Sequence, residues 1–272
     1  MRRQSSLVRS RLARLLASAA VTAVLAAHLG GCQTMSDVTG AITQKSDAAL
    51  EDPRRAVDVY GERYRANPKD ADAALAYGQA LRTTGQRAQA VAVLEQATIA
   101  NPGNQPLLAS YGRALADNGN SQAAFDVLSR AHSPDSPDWR ILSVQGTALD
   151  KLGKHEEARR YYNTALKIVP DEPSVLSNLG LSYMLTRELP NAEQTLRRAY
   201  GNPRADGRVR QNLALVVGLQ GRFAEAESIA KGDLPADEAQ ANVTYLREML
   251  SRKDNPRSGP KTVPVAALSR PN

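Results

Sequence analysis

Between residues 53 and 252 the chain alternates apolar and charged positions at the spacing of short amphipathic helices, and the pattern returns every 34 residues. The stretch from Trp139 to Glu172 shows the unit most plainly. Leu142, Leu149, Tyr162 and Ala165 are spaced to pack one helix on another, and Gly146 and Ala158 are small enough to let the two cross closely. Gly153 stands where the first helix should stop, and Pro170 where the second should. Neither helix can bury its apolar face alone, so the units are expected to stack on one another.

Five series of positions share this period. Gly78, Gly112, Gly146 and Gly180 continue to Ala214. Ala56, Ala90, Ala124, Ala158, Ala192 and Ala226 form a second series, and Tyr60, Leu94, Leu128, Tyr162 and Leu196 a third. Pro68, Pro102 and Pro170 make a fourth, and Leu81, Leu115, Leu149, Tyr183 and Val217 a fifth. The small residue of the first helix is expected to face the small residue of the second. Complete units fall at 71–104, 105–138, 139–172 and 173–206, with a weaker fifth over 207–235. In unit two Ser136 replaces the terminal proline, while Pro134 and Pro137 beside it keep the break. In unit four Arg187 takes the place of the glycine that elsewhere ends the first helix (Gly85, Gly119, Gly153, Gly221). In unit five the second helix is expected to end early, near Lys231 to Asp233.

Both ends of the stack depart from the unit. Residues 53–66 read as the second helix of a partial unit near 37–70, because Gly40, Thr43, Gln44 and Asp47 would fill the core positions of its first helix. Residues 236–252 read as a last amphipathic helix with Val243, Leu246, Met249 and Leu250 on one face. Terminal units need such caps, since an unpartnered apolar face would otherwise meet water. The tail from 253 to 272 is rich in Pro, Ser, Gly and Lys and is expected to be disordered.

Composition suits many small helices: the 272 residues include only two Phe and one Trp. The net charge of +7 is not a nucleic-acid signal. Five arginines and no acid lie in residues 1–32, and the tail adds about three more positive charges, so the body is near neutral and carries no basic stripe. The lone cysteine, Cys32, allows neither an internal disulfide nor a cysteine zinc site. His132 and His155 have no ligand or acid at useful spacing in the sequence, and Glu156 and Glu157 suit the first turn of a helix. No nucleophile elbow or phosphate loop is present, so neither an enzyme nor a cofactor or metal is expected.

The N-terminus reads as an address. Five arginines precede an apolar run from Leu15 to Leu29, too short to span a bilayer and suited to a signal peptide over 1–31. Leu29-Gly30-Gly31-Cys32 resembles a bacterial lipobox, which implies lipid attachment at Cys32 and a membrane-anchored chain. Gln33, not Asp, follows the cysteine, and by the same resemblance this favours the outer membrane with the body facing the periplasm. Residues 32–51 are then a tether.

The five series resemble the tetratricopeptide repeat (TPR). The resemblance implies an all-α fold: a TPR α-solenoid, a right-handed superhelix of antiparallel helix pairs, with N- and C-terminal capping helices. It also implies an inner groove lined by the first helix of each pair. By phase that groove holds Asp72, Gln79, Arg82, Arg113, Arg140, Ser143, Thr147, Ser177, Asn178, Leu181, Arg208, Gln211, Asn212 and Leu215. In some TPR proteins asparagines placed like Asn178 and Asn212 bind a peptide backbone. The late groove turns apolar at Leu181, Leu185, Leu215 and Leu219, to grip an apolar segment or to be covered by the 236–252 helix. Trp139, opening a unit, suits packing between units better than partner binding. With the lipobox and the run Ala241 to Leu250, the chain resembles the TPR lipoproteins of Tad (tight adherence, Flp-type) pilus assembly, the TadD family. That resemblance implies protein partners in the pilus or secretion apparatus, a secretin among them. The alternatives are a type IV pilotin-like factor or an adaptor for peptidoglycan enzymes. An envelope enzyme with a TPR module would need a catalytic domain for which the remaining residues leave no room.

Overall fold

A computed structural model describes residues 52–133 and 135–254. The expected leader, Cys32, the expected tether and the chain beyond Asp254 lie outside the described residues, as does the start of the expected partial first unit. Within the described residues lie twelve helices: α1 Pro53–Ala66, α2 Ala71–Thr83, α3 Arg87–Ala100, α4 Gln105–Asp117, α5 Ser121–Leu128, α6 Trp139–Lys151, α7 His155–Ile168, α8 Pro173–Leu185, α9 Leu189–Tyr200, α10 Gly207–Leu219, α11 Phe223–Ala230 and α12 Ala236–Asp254. Among the described residues there is no strand, only an isolated bridge between Ser133 and Ser136. Each helix packs mainly on its chain neighbours, and the first helix of each unit also meets the first helix of the next. The described residues form an all-α solenoid of five helix pairs, α2–α3 to α10–α11, with α1 and α12 on its two ends.

The two ends of each first helix are specified differently. At its start a side chain takes up the free amides. Asp70 accepts from the amides of Asp72 and Ala73, Asn104 from Leu107, Asp138 from Arg140, Glu172 from Ser174 and Asp206 from Val209. At its end the chain folds back through a left-handed residue. The amides of Gln86, Asn120, Lys154, Glu188 and Arg222 donate to the carbonyls of Leu81, Leu115, Leu149, Tyr183 and Val217, at 2.8 to 3.2 Å. Gly85, Gly119, Gly153 and Gly221 hold the left-handed turn with φ of 76–88°. In unit four Arg187 adopts it too, at φ 64°, so the loss of glycine did not change the turn.

The crossing of each pair differs from expectation. The glycines do not face the alanines of the second helix; they face its bulky residues. A Cβ placed on Gly78, Gly112 or Gly180 would come within 2.5–2.7 Å of the side chain of Leu94, Leu128 or Leu196, and one on Gly146 within 2.6 Å of the Tyr162 ring. The missing side chain is thus the socket for the third series, and the alanines, buried at their own positions, let the backbones approach. Unit five replaces both members of the pair. Ala214 stands for the glycine and Ala230 for the bulky residue, and the two pack with Ala239 of α12. There the socket moves one turn along α10: Gly218 receives Leu246 of α12, 2.5 Å from a virtual Cβ.

Units two and five have short second helices: α5 and α11 have 8 residues each, where α3 and α7 have 14, and the early end expected near Lys231 in unit five is present. In unit two the helix stops well ahead of the two prolines in the run from Ser133 to Asp138. The sequence reading expected a break there but not so early a stop.

Candidate partner-binding groove

A cavity of about 600 Å³ opens along the first helices of units one, two and three, beside the loop that follows α5. Gln79 from α2, Arg113 from α4 and Arg140 from α6, all expected in the groove, line it together. His132 and Ser136 of the loop line it as well, with an apolar wall of Leu75, Ala109 and Ile141. Arg82 is engaged: its Nε donates to Asp117 Oδ2 at 2.7 Å and its Nη1 to Gln79 Oε1 at 3.0 Å. Arg140 lies over the Trp139 ring, 4.7 Å from its centroid. Arg113 forms no ion pair with any described acid. Burial, with Arg82 and then Arg140 nearby, pulls its guanidinium below the usual range, although Asp138 and Asp117 oppose the shift. Asp138 already accepts the Arg140 amide at 2.7 Å. His132 Nδ1 is buried here with no partner among the described residues.

Asn178, Leu181, Arg208, Gln211 and Asn212 come together around a second cavity of about 300 Å³, between units four and five. Each asparagine is tied back across the repeat. Asn178 Nδ2 donates to Ser143 Oγ at 3.1 Å and Asn212 Nδ2 to Ser177 Oγ at 2.9 Å. Arg208 is held by Asp206 at 2.9 Å. Leu215 joins Gln211 in a third, apolar cavity of about 460 Å³ that α12 roofs with Leu246, Tyr245 and Met249. The last helix therefore covers the late groove in part. Ala239 and Val243 are buried beneath it, while Tyr245, Met249 and Leu215 stay exposed.

Thr147 and Asp72 have other surroundings. Thr147 donates to the Ser143 carbonyl at 3.1 Å and lies 3.3 Å from the Tyr162 hydroxyl, part of a polar network inside unit three. Asp72 is exposed in the first turn of α2. The centre of the network is Asp150. It accepts from Tyr162 at 2.9 Å and from Ser182 at 2.8 Å, and it lies 2.8 Å from His155 Nδ1. His155 thus has an acid partner that its sequence neighbourhood did not suggest. Burial, and Asp150 beside it, push the Tyr162 hydroxyl above its usual range and keep it protonated. The arrangement is not a nucleophilic triad: the Ser182 hydroxyl is buried and spends its proton on the carboxylate, not on the imidazole. Among the described residues no group of His, Cys, Asp and Glu could hold a metal ion, and no helix is long and apolar enough to cross a membrane.

Two family models described as tetratricopeptide repeat match the chain, over residues 48–111 and 144–209. Those two stretches carry tetratricopeptide repeats, and the helix pairs between and after them keep the same 34-residue period. Solved TPR folds agree. TTC0263, a thermophilic TPR protein of Thermus thermophilus, is similar with a TM-score of 0.58 at 21% identity, over 66% of this chain and 100% of that one. Pseudomonas aeruginosa pilF gives 0.52 at 18% identity, over 69% and 93%. A chain of the APC/C hetero-tetramer Cut9-Hcn1 gives 0.58 at 15% identity, over 76% of this chain but 44% of that one. At such identities the likeness is one of fold. A search of curated proteins finds no match.

TPR repeats imply a scaffold for protein–protein interaction, and such proteins are generally not enzymes. In this stack the packing positions repeat from unit to unit, whereas the cavities mix repeated residues, such as Asn178 and Asn212, with residues that change between units, such as Gln79 and Arg113. The loop residues His132 and Ser136 were not foreseen as lining residues. Their signal was the irregular turn from Ser133 to Asp138.

Proposed function

We propose that this TPR protein is a lipid-anchored scaffold of the bacterial outer membrane, facing the periplasm and serving assembly of a Tad (Flp-type) pilus. The observation that carries the scaffold reading is the groove: three cavities open along one stack, one cationic, one polar and one apolar. The anchor and the pilus role rest on sequence. Cys32 follows Leu29-Gly30-Gly31, and the run Ala241 to Leu250, which resembles the last helix of the TadD family, falls on α12. The partner in this reading is a secretin or another pilus component, engaged through the groove. The test is affinity capture of the full chain from envelope extracts with its anchor intact. Recovery of a secretin or pilus component, lost when Cys32→Ala releases the chain from the membrane, is expected. Recovery of cell-wall hydrolases alone, or a chain that stays in the membrane without Cys32, would refute the proposal.

A further inference from the structure

The apolar cavity at the C-terminal end of the stack differs from the other two in what it leaves exposed. Its volume is about 460 Å³, with Leu215 and Leu219 of α10 on one wall and Tyr245, Leu246 and Met249 of α12 on the other. Leu215 is 37%, Tyr245 45% and Met249 50% exposed. The cause is the way α12 is held. Val243 is buried and Leu246 fills the socket at Gly218, but none of residues 246–251 is fully buried. The second half of the helix therefore roofs the cavity without closing it. Large apolar side chains around one concavity form a patch that water covers poorly. A cavity of this size takes a few side chains of one short segment.

The chain supplies such a segment directly after α12. Residues 255–262 contain two prolines, one glycine and no large apolar residue, whereas residues 263–268 read Val-Pro-Val-Ala-Ala-Leu. The reach is sufficient. A helix rises about 1.5 Å per residue, so Asn242 to Met249 lie roughly 8–18 Å before Asp254. The eight residues 255–262, extended, span roughly 26 Å, so the apolar run can double back onto the whole cavity. Pro264 favours an extended backbone at Val263, which lowers the cost of ordering the run. Charge agrees as well. Arg257, Lys261 and Arg270 are the only charged residues beyond Asp254, and Tyr245 also borders a shallower groove lined by Asp237 and Glu248. We propose that residues 263–268 fold back past the end of α12 and occupy this cavity in the same molecule, with Val263, Val265 and Leu268 against Leu215, Tyr245 and Met249. The short spacer keeps the run near the site at an effective concentration on the order of millimolar, so even a weak fit is held. The tail then closes the late groove. A partner that uses this groove has to displace the tail first, and that consequence alone rests on the scaffold reading.

The experiment compares the full chain, in phosphatidylethanolamine nanodiscs so that no detergent enters an apolar site, with a chain ending at Asp254. The probe is a fluorescent peptide of residues 259–270, read by anisotropy with empty nanodiscs as the baseline. The shortened chain should bind the probe. The full chain should bind it more weakly by on the order of tenfold, because its own tail holds the site. Val265→Asp with Leu268→Asp in the full chain should restore binding to the level of the shortened chain. Leu215→Asp or Met249→Asp in the shortened chain should abolish it. Both side chains are exposed enough to accept the change, and an unaltered melting temperature checks that the stack is intact. Amide exchange over residues 243–250 should be several-fold faster in the shortened chain than in the full one. Equal binding of the probe by both chains, no binding by the shortened chain, or binding indifferent to Leu215→Asp and Met249→Asp would overturn the proposal. So would protection of residues 243–250 that arises only as the full chain dimerises in sedimentation, since the tail would then sit in a second copy. None of these measurements involves a pilus component, so the tail's docking and the pilus role fail separately.

Discussion

Units four and five solve the same packing problem in two ways. In unit four Gly180 leaves a socket that Leu196 fills, and Leu196 is fully buried. In unit five both positions are alanine, and the socket reappears at Gly218, filled by Leu246 from α12. The pair, not the single residue, is the unit of design: a bulky side chain needs a missing one opposite it. The regular solution closes a repeat on itself. The other opens the repeat toward a neighbour, and this is how the C-terminal helix is fixed on the end of the stack. The difference also explains why α12 is needed, since Val216 and Val217 of α10 share their buried cluster with its Val243.

The hardest test converts unit four to the unit-five solution. Leu196→Ala should cost about 3 kcal/mol, from lost burial and the cavity left behind. Gly180→Ala should cost about 1–3 kcal/mol, because the new methyl overlaps the leucine. The double variant should cost less than the sum by about 1 kcal/mol or more, since alanine then faces alanine as at 214 and 230. Urea unfolding gives the cycle, and hydrogen exchange checks that the loss sits in unit four, because stacked repeats can unfold in parts. Strict additivity would mean that the two residues do not share a socket.

Gly218→Ala tests the other solution. Its methyl would stand 2.5 Å from Leu246 Cδ2, the end of a side chain on a terminal helix. The helix can therefore give way where the paired helices cannot. A loss of about 1–2 kcal/mol is expected, read as faster amide exchange and proteolysis confined to α12, with units one to four unchanged. Leu246→Ala added to Gly218→Ala should not worsen it further. Exchange spread through the whole stack would show that α12 is not held chiefly by this socket.

How much of this was legible depended on what a one-dimensional period can carry. The series through Gly146, Ala158 and Tyr162 gave the phase of every helix pair, and Arg187 was placed correctly in the turn. Phase does not say which position stands opposite which, so the glycines were matched to alanines when their partners are Leu94, Leu128, Tyr162 and Leu196. The first-helix positions that line the cavities, Gln79, Arg113 and Asn178 among them, were legible because they repeat in phase along α2, α4, α6, α8 and α10, whereas His132 and Ser136 lie in the loop after α5, where the period fails. His155 and Asp150 were missed as a pair because the turn at Gly153 brings together residues five apart that a helix would separate.

Arg187 offers a smaller test, of the turns in place of the crossings. It holds φ 64° where its counterparts are glycine, a conformation that costs a side-chain-bearing residue about 1 kcal/mol. Arg187→Gly should raise stability by up to about 1 kcal/mol, and Gly153→Ala should lower it by a similar amount. Thermal melts of both variants check the pair. A loss on Arg187→Gly would mean that the arginine side chain contributes more than its backbone strain costs.

The smallest effect concerns charge at the junction of units four and five. Glu193 of α9 accepts from Arg222, Gln220 and Arg197, and chiefly the Arg222 hydrogen bond lowers its carboxyl to about 2. A folded pKa below the ordinary 4.5 gives stability that is present above about pH 5 and is lost as the pH falls toward 2. Both arginines are more than a third exposed, so solvent screening reduces the contribution to on the order of 1 kcal/mol. The parent should therefore lose more stability between pH 6 and pH 3 than Glu193→Gln does, with the two converging at the acid end. High salt should narrow the gap at pH 6. Should Glu193→Gln instead fall as steeply with acid as the parent, the junction would be held by the apolar cluster of Leu196, Leu213 and Val217 alone, and the contrast between the two units would be one of packing only.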